Sequence, residues 1–67
     1  HVHMKDGRNS LADYQGTALG EGEVDLNWAV QCLKQAGYQG VWCVEYEGSS
    51  DHIEGFRKGL EWLKSSL

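Results

Sequence analysis

The first six residues, His1-Val2-His3-Met4-Lys5-Asp6, alternate. In a strand, successive side chains point to opposite faces, so Val2, Met4 and Asp6 share one face and His1, His3 and Lys5 the other. Val2 and Met4 mark the face turned to a core. Two imidazoles and an ammonium in a row are unusual for a bare surface, and costly to bury unless something binds them. A second β-rich run, Gly40-Val41-Trp42-Cys43-Val44-Glu45-Tyr46-Glu47, ends at Gly48. Val41, Cys43, Glu45 and Glu47 share one of its faces; Trp42, Val44 and Tyr46 share the other. An acid near the end of a strand that is otherwise apolar on both faces fits a parallel sheet covered on both sides.

Between the strands the period changes. Leu26, Ala29, Val30, Leu33 and Ala36 form a helical stripe. Asp25 is placed to cap its start, and Gly37 to end it in a left-handed conformation. After the second strand, Asp51 followed by Glu54 has the capping-box spacing. Ile53, Phe56, Leu60, Leu63 and Leu67 continue at steps of three and four. Glu54 and Lys58 are spaced to pair along this helix. Residues 7–23 read as a long polar loop with glycines at 7, 16, 20 and 22. Loops of that length are more often functional or mobile than idle. Gly20-Glu21-Gly22 suits a tight turn, but lacks the lysine and full glycine pattern of a phosphate loop.

The pattern predicts strands near 1–6 and 40–46 and helices near 26–36 and 52–65. A strand, helix, strand order is a βαβ unit, hence α/β with parallel strands. One-sided helices fit an outer layer over that sheet. Two strands cannot close a barrel or make a satisfactory open sheet. More strands are expected from elsewhere: the rest of a longer chain, or other copies. The sequence opens without methionine and already inside the alternation, which favours a piece of a longer chain over three added residues ahead of Met4.

Composition narrows the function without choosing it. Sixty-seven residues with 40% hydrophobic content and three Trp and three Tyr are globular, at most one small domain. A chain of this size buries only about 60% of its unfolded surface and is marginal alone. Six basic residues against ten acidic ones give a net charge of −4, and the basic ones are scattered. That is no nucleic-acid footprint. No apolar run is long enough to span a bilayer, and no signal or lipidation motif is visible. Cys32 and Cys43 form neither a disulfide framework nor a zinc-finger spacing. They read as reduced packing residues of a cytoplasmic protein.

Chemistry centres on His3 and Glu45. On parallel strands both lie near the carboxyl ends, where (β/α)-barrels build their active sites. An imidazole and a carboxylate pointing inward at one level could serve as half of a divalent-metal site, although spacing alone is a weak signal for one. Such an oxygen-rich set suits Mn²⁺, Mg²⁺ or Co²⁺, with Zn²⁺ also feasible. A lone His and a lone Glu are, however, more often structural or solvated than ligands.

The ordered motifs His3-Met4-Lys5-Asp6, Leu19-Gly20-Glu21-Gly22, Ala36-Gly37-Tyr38-Gln39-Gly40 and Val44-Glu45-Tyr46 resemble the C-terminal quarter of the xylose-isomerase-like TIM-barrel superfamily. The resemblance covers nearly the whole chain, from the seventh strand to the eighth helix of a (β/α)8 barrel. It implies a part of a metal-dependent sugar or sugar-phosphate isomerase or epimerase of carbohydrate metabolism. By resemblance His3 and Glu45 are metal ligands, and Glu45 is also a candidate acid/base group. The other two ligands, a glutamate and an aspartate, belong to earlier strands, and without them this chain by itself is expected to bind the ion weakly or not at all. Arg8 sits where the epimerases often place a substrate-contacting arginine. Lys5 faces inward beside His3 and is a candidate contact for a substrate oxygen or phosphate; pairing with a neighbouring acid is its structural alternative. His1 takes at most a supporting role.

One departure separates the branches. The endonuclease IV branch carries an Asp and a His just before the Leu19-Gly20-Glu21-Gly22 turn; here Gly16, Thr17 and Ala18 stand there. That makes an abasic-site nuclease the weakest reading. The remaining alternative is a stand-alone quarter-barrel module that self-associates without catalysis. As an isolated chain the sequence is expected to be inactive. It is expected to form homo-oligomers or to associate with the rest of its barrel.

Overall fold

The computed structural model describes residues 1–9, 11–49 and 51–67. Its elements are β1 (Val2–Met4), β2 (Asp6–Arg8), β3 (Gln15–Thr17), α1 (Leu26–Gln35), β4 (Trp42–Val44) and α2 (His52–Ser66). β1 and β4 pair in parallel, with Val2 opposite Trp42, His3 opposite Cys43 and Met4 opposite Val44. The ladder runs beyond the regular strands at both ends: the Val2 amide donates to the Val41 carbonyl and the Glu45 amide to the Met4 carbonyl, both at 2.9 Å. The α/β expectation with parallel strands holds.

The helices begin and end where their caps dictate. The Asp25 carboxylate accepts from the Trp28 amide at 3.1 Å and starts α1. Gly37, with φ +79°, ends it. The Asp51 carboxylate accepts from the Ile53 and Glu54 amides and starts α2. Glu54 does not take the expected partner. Its carboxylate pairs with Arg57, which also donates to Glu61 at 2.5 Å, while Lys58 lies 3.6 Å from Glu21. The planar guanidinium reaches two carboxylates at once, which a single ammonium does less well. The paired charges hold the Glu54 carboxyl below, and the Arg57 guanidinium above, their ordinary ranges.

The long loop is shorter than its sequence suggested. β2 and β3 form an antiparallel hairpin inside residues 7–23, with Asp6 opposite Thr17, Gly7 opposite Gly16 and Arg8 opposite Gln15. Asn9 and Asp13 take left-handed backbone angles at its turn, which their short polar side chains tolerate. Ser10 lies outside the described residues. The first strand likewise breaks at Lys5: β1 joins β4, and the chain then turns into the hairpin.

Met4, Leu19, Leu26, Val30 and Leu63 form the core, with Val2, Trp42, Val44 and Trp62 packed against it. Leu63 apart, the α2 stripe is not what buries that helix. Gly55, Gly59 and Leu63 face inward, while Ile53, Phe56, Leu60 and Leu67 stay exposed, Ile53 at 81%. The reason is close approach. A Cβ on Gly55 would run into the Tyr46 ring, and one on Gly59 into the Val44 side chain. The helix lies down on β4 because these two positions are bare. Gly59→Val is expected to destabilise the chain by about 1–3 kcal/mol through overpacking. A urea midpoint unchanged by the substitution would rule out this contact. Cys32 is exposed on α1, so only Cys43 comes near the expected packing role.

Candidate functional site

The two faces of the parallel pair have opposite chemistry. Val2, Met4, Trp42, Val44 and Tyr46 turn to the helices. The other face carries His1, His3 and Lys5 from β1 and its flanks, and Cys43, Glu45 and Glu47 from β4 and the segment after it. Its partnerships follow one offset. His3 Nδ1 meets Glu45 Oε1, and Lys5 Nζ meets Glu47 Oε1, each forty-two residues apart. Backbone partners are forty apart, as in His3 opposite Cys43. Each side chain of β1 therefore reaches one inward position further along β4.

His3 and Glu45 are thus on one side of the sheet and in contact, as the alternation predicted. Both are half-open to solvent, with side chains 55% and 38% exposed. Lys5 donates to Glu47, and its ammonium lies 5.8 Å from the centre of the Tyr14 ring. The hydrogen bond to Glu47 raises the Lys5 ammonium above its ordinary range and holds the Glu47 carboxyl below its own. Lys5 therefore has the acid partner that was its structural alternative. Arg8 points elsewhere: its guanidinium donates to the Glu21 carbonyl at 2.8 Å, which ties the hairpin to the glycine turn.

The residue that sequence reasoning missed is Asp6. It is 1% exposed, and its two carboxylate oxygens accept four backbone amides. Oδ1 takes those of Gly7 (2.8 Å) and Val24 (3.1 Å); Oδ2 takes those of Gly20 and Gly22 (3.0 Å each). Asp6 gathers the start of the hairpin and the whole Gly20–Val24 turn around one buried charge. A Cβ on Gly22 would strike the Asp6 carboxylate, so the turn closes only with glycine there. The available signal was an acid on the apolar side of a strand, in a chain whose glycine-rich turn leaves amides without partners. A cleft of about 230 Å³ opens between β3 and the start of α2, lined in part by Thr17, Tyr46, Ser49 and Lys58; neither His3 nor Glu45 lines it.

The family model for the xylose isomerase-like TIM barrel matches residues 1–66. The chain belongs to this family. Curated relatives agree. It is 31% identical over 68 aligned residues to the L-ribulose-5-phosphate 3-epimerase UlaE of Escherichia coli (strain ATCC 8739). The same identity holds for the proteins of that name in Escherichia coli strain K12 / DH10B and Escherichia coli O157:H7. In each case the alignment covers 98% of this chain and 23% of the relative. The chain therefore spans about a quarter of the length of the curated relatives it matches. No solved structure matches. Within a barrel of this family, the helix-free face of β1 and β4 corresponds to the side lining the barrel interior.

Proposed function

We propose that this chain supplies part of the active site of a sugar-phosphate 3-epimerase or a closely related ketose isomerase. One observation carries the reading: His3 and Glu45 meet on the helix-free face of a parallel pair, at its carboxyl end, in a chain of this barrel family. The UlaE relatives support a sugar-phosphate substrate, and the cytoplasm is the expected compartment. No helix among the described residues is long and apolar enough to cross a membrane.

The donor set fits a divalent ion. An imidazole nitrogen and a carboxylate oxygen already touch, and both remain open enough to admit further ligands. His3 and Glu45 would hold the ion, with Mn²⁺, Mg²⁺, Co²⁺ or Zn²⁺ as candidates, and two further ligands would come from outside this chain. When bound, it supplies Lewis-acid polarisation of carbonyl and hydroxyl oxygens.

The chain's own residues do the rest. Glu45 takes or returns the proton on the carbon beside the carbonyl, and His3 orients it through their shared contact. Lys5 holds Glu47 at the next level and presents an ammonium to substrate oxygen or phosphate. Arg8, whose guanidinium here donates to the Glu21 carbonyl, would contact substrate only after leaving that bond. The exposed Ile53, Phe56 and Leu60 on α2 supply the surface for joining the rest of the barrel.

The isolated chain has two of four ligands and is expected to show no turnover of L-ribulose 5-phosphate. Mixing it with a separately produced chain carrying the remaining three quarters of the barrel is expected to restore metal-dependent epimerisation. Turnover by the isolated chain would overturn the shared-site reading, and so would a refolded full barrel without epimerase or isomerase activity.

A further inference from the structure

The constant offset along the inward face leaves one pair that this function does not use. His3 reaches Glu45 and Lys5 reaches Glu47; the same step of forty-two from His1 falls on Cys43. His3 stands between the two levels, directly opposite Cys43 in the strand register. The ligand atoms of His1, His3 and Cys43 all lie within 4.8 Å of one another. Two donors on one tetrahedral zinc are about 3.5 Å apart, given metal–nitrogen and metal–sulfur bonds of about 2.0 and 2.3 Å. Side-chain rotations that move these atoms by about an ångström close the set, and His1 and His3 are exposed enough to make them.

We propose that His1, His3 and Cys43 form a second metal site, one that takes thiophilic divalent ions such as Zn²⁺ and Co²⁺. It has two imidazole nitrogens and one thiolate, with the fourth position open to water or substrate. Softness separates it from the His3–Glu45 pair: sulfur and imidazole select zinc-like ions, while carboxylate oxygen suits manganese and magnesium. Binding displaces the thiol proton. Because both sets draw on His3, a zinc-like ion at the lower level withdraws His3 from Glu45 and lowers activity in manganese; this second part rests on the function proposed above.

The test is titration of the reduced 67-residue chain with Co²⁺, read by its thiolate-to-cobalt charge-transfer absorption. A parallel titration with Mn²⁺, run on the barrel reassembled from this chain and the remaining three quarters, is read by paramagnetic broadening of this chain's histidine resonances. The wild-type chain is expected to show the charge-transfer band. Cys43→Ser abolishes it, Cys32→Ser leaves it, and His1→Ala weakens Co²⁺ binding at least about tenfold, a loss no smaller than that of an outer-sphere partner. His1 precedes β1 and is exposed, so its removal leaves the core intact. Glu45→Gln retains the cobalt band but loses Mn²⁺ binding. Absence of the band in the wild type overturns the second site, as does its survival in Cys43→Ser. If Mn²⁺ binding still depends on Glu45, the His3–Glu45 reading stands without it. A cobalt band with Mn²⁺ binding indifferent to Glu45 leaves the second site standing and removes the first.

Discussion

Asp6→Ala is expected to unfold the chain. Four backbone amides converge on this carboxylate, and none of Gly7, Gly20, Gly22 and Val24 finds an equivalent acceptor once it is gone. A hydrogen bond to a charged group contributes about 1.5–3 kcal/mol, and a buried donor left unmet costs about 1–3 kcal/mol. Even if the turn opens to water and relieves half of the loss, about 3–5 kcal/mol goes. A domain of this size has only about 3–10 kcal/mol in total. Asp6→Asn keeps the shape and one acceptor oxygen, but sets an NH₂ group against backbone N–H donors, so it follows in the same direction with a smaller effect. Circular dichroism under urea reads both. A midpoint for Asp6→Ala within experimental error of the wild type would show that the turn is held by other means.

The sequence showed the parallel pair and both helices because those elements are built from alternation, helical stripes and caps. Asp25, Gly37 and Asp51 each act locally, so their roles were visible from their neighbours. The β2–β3 hairpin was not visible. Asp6-Gly7-Arg8 and Gln15-Gly16-Thr17 carry neither alternation nor β-branched enrichment, and a backbone ladder holds them. Asp6 was hidden for a different reason: its four donors lie up to eighteen residues away, and only the folded turn brings them together. The α2 stripe misled because an apolar face marks burial against any neighbour. Ile53, Phe56 and Leu60 stay exposed in this chain, whereas Gly55 and Gly59, which no hydrophobic pattern registers, seat α2 on β4. For the site, parity alone placed His3 beside Glu45, while Lys5 was expected only to meet some neighbouring acid or a substrate oxygen, and the structure gives it Glu47. The direction of Arg8 depended on the folded glycine turn.

Glu45→Gln is expected to have the largest effect on activity. In the full barrel it should lower turnover by about 10²–10⁴-fold, the usual contribution of a positioned acid or base. The amide is isosteric, and the backbone of Glu45 keeps its bond to Met4, so stability should change little. His3→Ala should fall with it rather than add to it, because the two side chains act through one contact. Arg8→Ala is expected to be milder, since its guanidinium works through the Glu21 carbonyl.

The most direct measurement is solvent exchange: the full barrel is incubated with L-ribulose 5-phosphate and Mn²⁺ in deuterated water, and the carbon beside the carbonyl is followed by NMR. Deuterium is predicted to enter at that carbon as the epimer forms, and Glu45→Gln is predicted to slow entry and epimerisation together. Epimerisation without deuterium entry would contradict proton transfer, and unchanged exchange in Glu45→Gln would remove Glu45 from the chemistry.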